Sequence, residues 1–134
     1  MHEWAFAEGI IKTVEEEAIK NRFKKLSKIH IVMGELQGID KDIVSFALEN
    51  LKKGTIMEKA VFEFEDEEME FECRNCGFVW KIDRNGDIDE LIKESIHFVP
   101  EAAHSFISCP KCGSKDFEIT KGRGVYISRI DGEL

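Results

Sequence analysis

The sequence predicts an α+β fold, a small antiparallel sheet with two helices that carries an inserted zinc-ribbon-like domain. Three observations point there. Two segments repeat apolar residues at helical spacing, several short segments alternate apolar and polar residues, and two CxxC turns stand far apart in the chain.

The elements follow in order. From Trp4 to about Asn21, the residues Phe6, Ala7, Ile10, Ile11, Val14 and Ala18 recur at spacings of three and four. That is one stripe of an amphipathic helix, with Glu15, Glu16 and Lys20 facing water. KIHIVMGEL (28–36) alternates, with Ile29, Ile31 and Met33 on one face and Lys28, His30 and Val32 on the other, and reads as a strand ending at Gly34. Asp40 suits the N-cap of a second helix carrying Ile43, Val44, Ala47, Leu48 and Leu51, and Gly54 suits its stop. VFEFE (61–65) and MEFEC (69–73) alternate again as strands. Asp66, Glu67 and Glu68 between them form an acidic joint, and the pair Glu67/Glu68 reads as ordinary solvated charge.

After Cys73 the character changes. CRNCG leads into an aromatic run through Trp80, a DRNGD turn and a helical pattern from Ile88 to Phe98. SCPKCGS (108–114) repeats the turn, and DFEIT and GVYIS return as strands. The expected division is residues 1–66 plus 117–134 for an α+β domain, and 67–116 for the domain with the two knuckles.

The 134 residues suit one compact domain or two small ones, and a hydrophobic content of 43% supports a real core. A formal charge of −8 opposes general nucleic-acid binding, which rests on Lys and Arg neutralising phosphates. No apolar stretch approaches the ~18 residues needed to span a bilayer. The start of the chain has no basic leader before its apolar residues. A cytoplasmic protein, engaging neither membrane nor nucleic acid, is therefore expected.

The cysteine turns are the strongest signal. CRNCG and CPKCG lie 32 residues apart, Gly77 to Ser108, and place four thiolates on two tight turns. That pattern matches a tetrahedral ion held by Cys73, Cys76, Cys109 and Cys112. Disulfides are disfavoured without a secretion signal. Iron in a rubredoxin-like site is the fairer rival; the long charged spacer and the extra domain favour zinc. A four-cysteine site has no open position for water, so its expected job is structural.

Four histidines remain. His30 reads as a packed or sheet-surface residue, and His104, in EAAHSF, is ambiguous. His97 lies on the polar flank of the Ile88–Phe98 pattern, where a solvated residue near a helix C-terminus is the plain alternative to a ligand. His2, in the opening MHEW, is chemically richer. Its imidazole Nδ1 and its own backbone nitrogen close a six-membered chelate ring on one ion. The backbone nitrogen of Met1 or of Glu3 adds a five-membered ring beside it.

MHEWAFAEGI, the MGEL stretch, CRNCG, CPKCG and the GRGVYI ending together resemble the HypA family of hydrogenase-maturation nickel chaperones. The resemblance spans essentially the whole chain, and the long insert between the knuckles is similar to the archaeal branch. It implies a small α+β nickel domain carrying a zinc domain, with Zn(II) on Cys73, Cys76, Cys109 and Cys112. It implies Ni(II) as cargo at Met1, His2 and Glu3, with the nickel-associated histidine of archaeal members falling on His97. It also implies two partners, a HypB-type GTPase and the large-subunit precursor of a [NiFe]-hydrogenase, with a homo-oligomer left open. The chemistry is compatible, because Ni(II) accepts square-planar sites built from nitrogen. One ion bound by both His2 and His97 would clamp the two domains. No Ser/His/Asp constellation or phosphate-cradling loop appears, and Gly122 and Gly124 in KGRGVY read as shaping a turn, so no enzyme is expected. The rivals are a zinc-ribbon module in transcription and an electron carrier with iron.

Overall fold

The computed structural model describes residues 2–81, 99 and 103–134. Helix α1 spans Glu3–Lys20, strand β1 Lys25–Gly34 and helix α2 Lys41–Leu51. Strands β2 (Val61–Glu67), β3 (Glu70–Cys73) and β4 (Val79–Lys81) follow. A helical turn, Ala103–Phe106, precedes β5 (Phe117–Lys121) and β6 (Val125–Glu133). The strands form two three-stranded sheets, one ordered β2-β1-β6 and the other β4-β3-β5. The α+β expectation holds. The Ile88–Phe98 helix lies outside the described residues.

The chain divides into two compact units. One comprises Met1–Val32, Ile39–Glu65 and Tyr126–Leu134; the other comprises Met33–Gly38 and Asp66–Val125. Residues 117–125 thus fall with the cysteines, because β5 pairs antiparallel with β3 and sets Cys73 opposite Phe117.

In the helical unit, α1 buries Glu3, Ala7, Ile10, Ile11, Val14 and Ala18. This is the predicted stripe with Phe6 only partly covered. The Asp40 carboxylate accepts from the amides of Asp42 and Ile43, the N-cap expected from the sequence. Strand β1 starts earlier than predicted, at Lys25, because Lys24 donates its amide to the Glu133 carbonyl at 2.7 Å and Ser27 Oγ bonds the Asp131 carbonyl at 3.1 Å. Pairing with β6 overrides the polar run that hid this part of the strand. His30 stands among charges on β1. One ring nitrogen faces Glu63 on β2 at 3.3 Å and the other faces Asp131 on β6 at 3.0 Å.

In the cysteine unit, Leu36, Met69, Phe71, Ala103, Ile107 and Phe117 form the core, with Trp80 and Ile119 packed against it. Phe71 stacks on Trp80 at 5.5 Å and meets Phe117 edge-on at 5.4 Å. The MGEL and GRG motifs meet here. Gly34 donates to the Gly124 carbonyl at 2.8 Å, and a Cβ on Gly34 would stand 2.5 Å from the Gly122 carbonyl carbon. Only glycine permits that approach. Glu67 is not simple solvated charge, as the sequence suggested. Its carboxylate accepts the Gly122 amide at 2.9 Å.

Candidate metal centre

The two knuckles are built alike. Gly77 donates its amide to the Cys73 carbonyl at 2.9 Å, and Gly113 donates to the Cys109 carbonyl at 2.8 Å. Both glycines sit at φ 77°, a left-handed conformation that costs a residue with a side chain about 1–2 kcal/mol. A second backbone hydrogen bond then closes each turn from outside. Cys73 donates to the Phe78 carbonyl at 2.9 Å, and Cys109 donates to the Ser114 carbonyl at 2.8 Å. Arg74 joins the knuckles, its amide reaching the Asp116 carbonyl at 2.9 Å and its guanidinium the Asp116 carboxylate at 3.1 Å.

The result is a cluster of four thiols. Every sulfur lies within 4.8 Å of the others, with Cys73 to Cys112 at 3.5 Å and Cys76 to Cys109 at 3.6 Å. None of the four forms a disulfide. Metal–sulfur bonds of ~2.3 Å in a tetrahedron place sulfurs about 3.8 Å apart. The donor set therefore fits a tetrahedral thiolate-bound ion. Cys73 and Cys109 are buried while Cys76 and Cys112 face solvent, so the ion would sit at the rim of the unit.

The local donors favour ionised sulfur unevenly. The Asn75 side-chain amide, 3.6 Å from Cys112 Sγ, and the Ser114 amide hold that thiol down to about 6. The Phe78 amide favours the Cys76 thiolate, but lost hydration and the three neighbouring sulfurs outweigh it and push Cys76 up to about 11. A divalent cation is the physical means by which all four sulfurs carry negative charge side by side. Asn75 escaped notice in the sequence, although it lies inside CRNCG, because only the folded pair of turns brings it to the opposite knuckle.

The second predicted site begins at His2, which is exposed at the N-cap of α1. Its carbonyl accepts the Phe6 amide at 2.8 Å, and its side chain makes no capping hydrogen bond. Glu3 differs sharply, being only 7% exposed, with its carboxylate accepting the Asp40 amide at 3.4 Å. That carboxylate is engaged within the fold and anchors the start of α1 to the start of α2. Met1 and His97 lie outside the described residues. His104 is placed by packing. Its ring lies 4.5 Å from Phe117 and its Nδ1 bonds the Lys115 carbonyl at 2.6 Å.

Comparison with known proteins agrees with this architecture. The chain is 55% identical over 131 residues to a hydrogenase maturation factor HypA of Pyrococcus furiosus, covering 97% of this chain and 94% of that protein. It is 54% identical over 131 residues to the factor of the same name in Thermococcus onnurineus, with the same coverage. The solution structure of the Ni metallochaperone HypA from Helicobacter pylori shares the fold, with a TM-score of 0.67 at 24% identity, covering 100% of this chain and 99% of that one. A solution structure of a HypA protein gives a TM-score of 0.68 at 26% identity over 98% of this chain and 96% of that chain. Residues 1–132 match the family model described as hydrogenase/urease nickel incorporation, metallochaperone, hypA, and with both knuckles and the MHE start inside that span the chain belongs to the HypA family.

Proposed function

We propose that this chain binds Ni(II) as cargo at its MHE segment and delivers it to the large-subunit precursor of a [NiFe]-hydrogenase, working with a HypB-type GTPase. Zinc on Cys73, Cys76, Cys109 and Cys112 holds the cysteine unit folded and takes no part in exchange. The relatives are named as maturation factors, and the family description is of a metallochaperone, so the chain is a carrier within the hydrogenase-maturation machinery rather than a catalyst. Among the described residues no helix is long and apolar enough to cross a membrane.

The single observation that carries this reading is the family match across residues 1–132, which takes in His2 and all four cysteines. The chemistry supports it. The His2 imidazole is exposed and uncommitted to capping. The amide of Glu3 lies in the first turn of α1, where N–H groups have no intrahelical acceptor, so deprotonating it breaks no helical hydrogen bond. Each amidate also cancels one positive charge of the ion, which removes the helix dipole's objection to a cation there. The Met1 nitrogen and His97 are the proposed remaining donors.

Calorimetric nickel titration of the zinc-loaded chain tests this. Losing an outer hydrogen-bond partner of a metal ligand costs about 10–100-fold in affinity, and losing the ligand itself costs more. His2→Ala is therefore expected to remove the stoichiometric site, and His97→Ala to weaken it. A His2→Ala protein that binds one nickel with wild-type affinity overturns the assignment. Metal analysis of the purified chain separates zinc from iron.

A further inference from the structure

A groove of about 390 Å³ lies in the helical unit, between α1 and the end of α2. Its apolar lining comes from Ile11, Ile19 and Leu51, and its acidic lining from Glu8, Glu15 and Glu16. Lys12 is the one cation in that lining. We propose that this groove docks a helical segment of a maturation partner, an apolar side chain seated against Ile19 and Leu51 with flanking lysines or arginines on the glutamates. The identity of the partner rests on the chaperone reading above; the chemistry of the groove does not.

Three observations carry the proposal. Ile19 is 79% exposed although α1 already buries a complete stripe through Ala18, so its apolar surface contributes nothing to this unit's own core. Among the described residues, Glu8, Glu15 and Glu16 have no ion-pair partner, so three carboxylates against one ammonium leave the groove net negative. The apolar track also continues. Trp4 and Phe46 are 44% and 64% exposed and meet edge-on at 6.2 Å. Trp4 is two residues from His2, so a segment lying along α1 ends beside the proposed loading position.

Charge selects the occupant. A second copy of this chain carries −8 and a nucleic acid is polyanionic, so both are repelled by an acidic groove. A basic amphipathic helix is attracted, and a cleft between two helices is the usual seat for one.

Fluorescence anisotropy at low ionic strength tests this with a labelled amphipathic helix of leucine and lysine, against a matched helix of leucine and glutamate. Binding of the lysine peptide is expected to weaken by at least about tenfold in Ile19→Ser and in Glu16→Lys, both at exposed positions that leave the fold intact. Glu58→Lys, exposed and outside the groove, is expected to bind as wild type. Equal binding of the glutamate peptide, or unchanged binding in both groove variants, overturns the proposal. So does a wild-type dimer that Ile19→Ser dissociates. Nickel titration of the same proteins keeps the two readings apart. A chain that binds nickel at His2 but ignores the lysine peptide loses only the groove, and one that binds the peptide but not nickel loses only the chaperone assignment.

Discussion

The two units bury different materials. The helical unit hides aliphatic side chains, with Val14, Leu26, Ile29, Ile31, Val44, Leu48 and Met57 essentially inaccessible. Among its described residues the cysteine unit buries two phenylalanine rings, Phe71 and Phe117, together with Met69 and Cys73, and packs Trp80 against them. Small units offset chain entropy poorly, and a metal is a common staple for them. In our proposal one metal is part of a fold, and the other, at the α1 terminus, is freight.

Removing the proposed structural ion is the largest available perturbation. Structural zinc contributes on the order of 10–16 kcal/mol in small zinc-dependent folds, as much as the whole stability of a typical domain. Strong chelation is expected to abolish the near-ultraviolet signal of the Phe71, Trp80 and Phe117 cluster while the far-ultraviolet signal of α1 and α2 persists. Loss of both signals together would show the units to be thermodynamically one, and loss of neither would remove the staple from the account.

Core truncations sharpen the same contrast at lower cost. Phe117→Ala deletes a fully buried ring that touches Phe71, Trp80 and His104 and stands opposite Cys73, and about 3–5 kcal/mol is expected. Leu48→Ala deletes a fully buried residue of α2 for about 2–5 kcal/mol. Only Phe117→Ala is expected to weaken zinc retention in a competition with a chromogenic chelator. Equal zinc retention in the two variants would mean that the aromatic cluster does not support the knuckles.

Much of this was legible in the sequence because the signals were local. The α1 stripe, the Asp40 cap and the two CxxCG turns are each set within a few residues, and the structure shows all of them. What escaped depends on partners distant in the chain. The early start of β1 rests on Glu133 and Asp131, and the role of Glu67 rests on Gly122. Gly34 ends β1 as the sequence indicated, but its second role, a close crossing with Gly122 and Gly124 that only a missing side chain allows, did not show. Glu3 and His2 are neighbours in the sequence, yet one is buried and one exposed, a distinction set by the first turn of α1 against Asp40.

Acid provides the smallest and most discriminating comparison. Protonating sulfur would release the proposed ion, so the cysteine unit is expected to fail first as pH falls. The helical unit responds lower down, through Asp131. Arg129 first, at 2.6 and 3.1 Å, and then His30 at 3.0 Å hold its carboxyl down to about 2, against an ordinary value of 3.8. A folded pKa below the unfolded one means that the stabilisation is complete above about 3.8 and is lost as pH falls toward 2. These groups are partly solvated, so the effect is modest. Asp131→Asn is expected to melt slightly below wild type at neutral pH, with the difference closing between the two pKa values, read by the far-ultraviolet signal of the helices. A gap that stays constant down to pH 2 would mean that the Arg129–Asp131–His30 chain contributes packing and not charge. A gap appearing in zinc retention instead would place Asp131 in the service of the other unit.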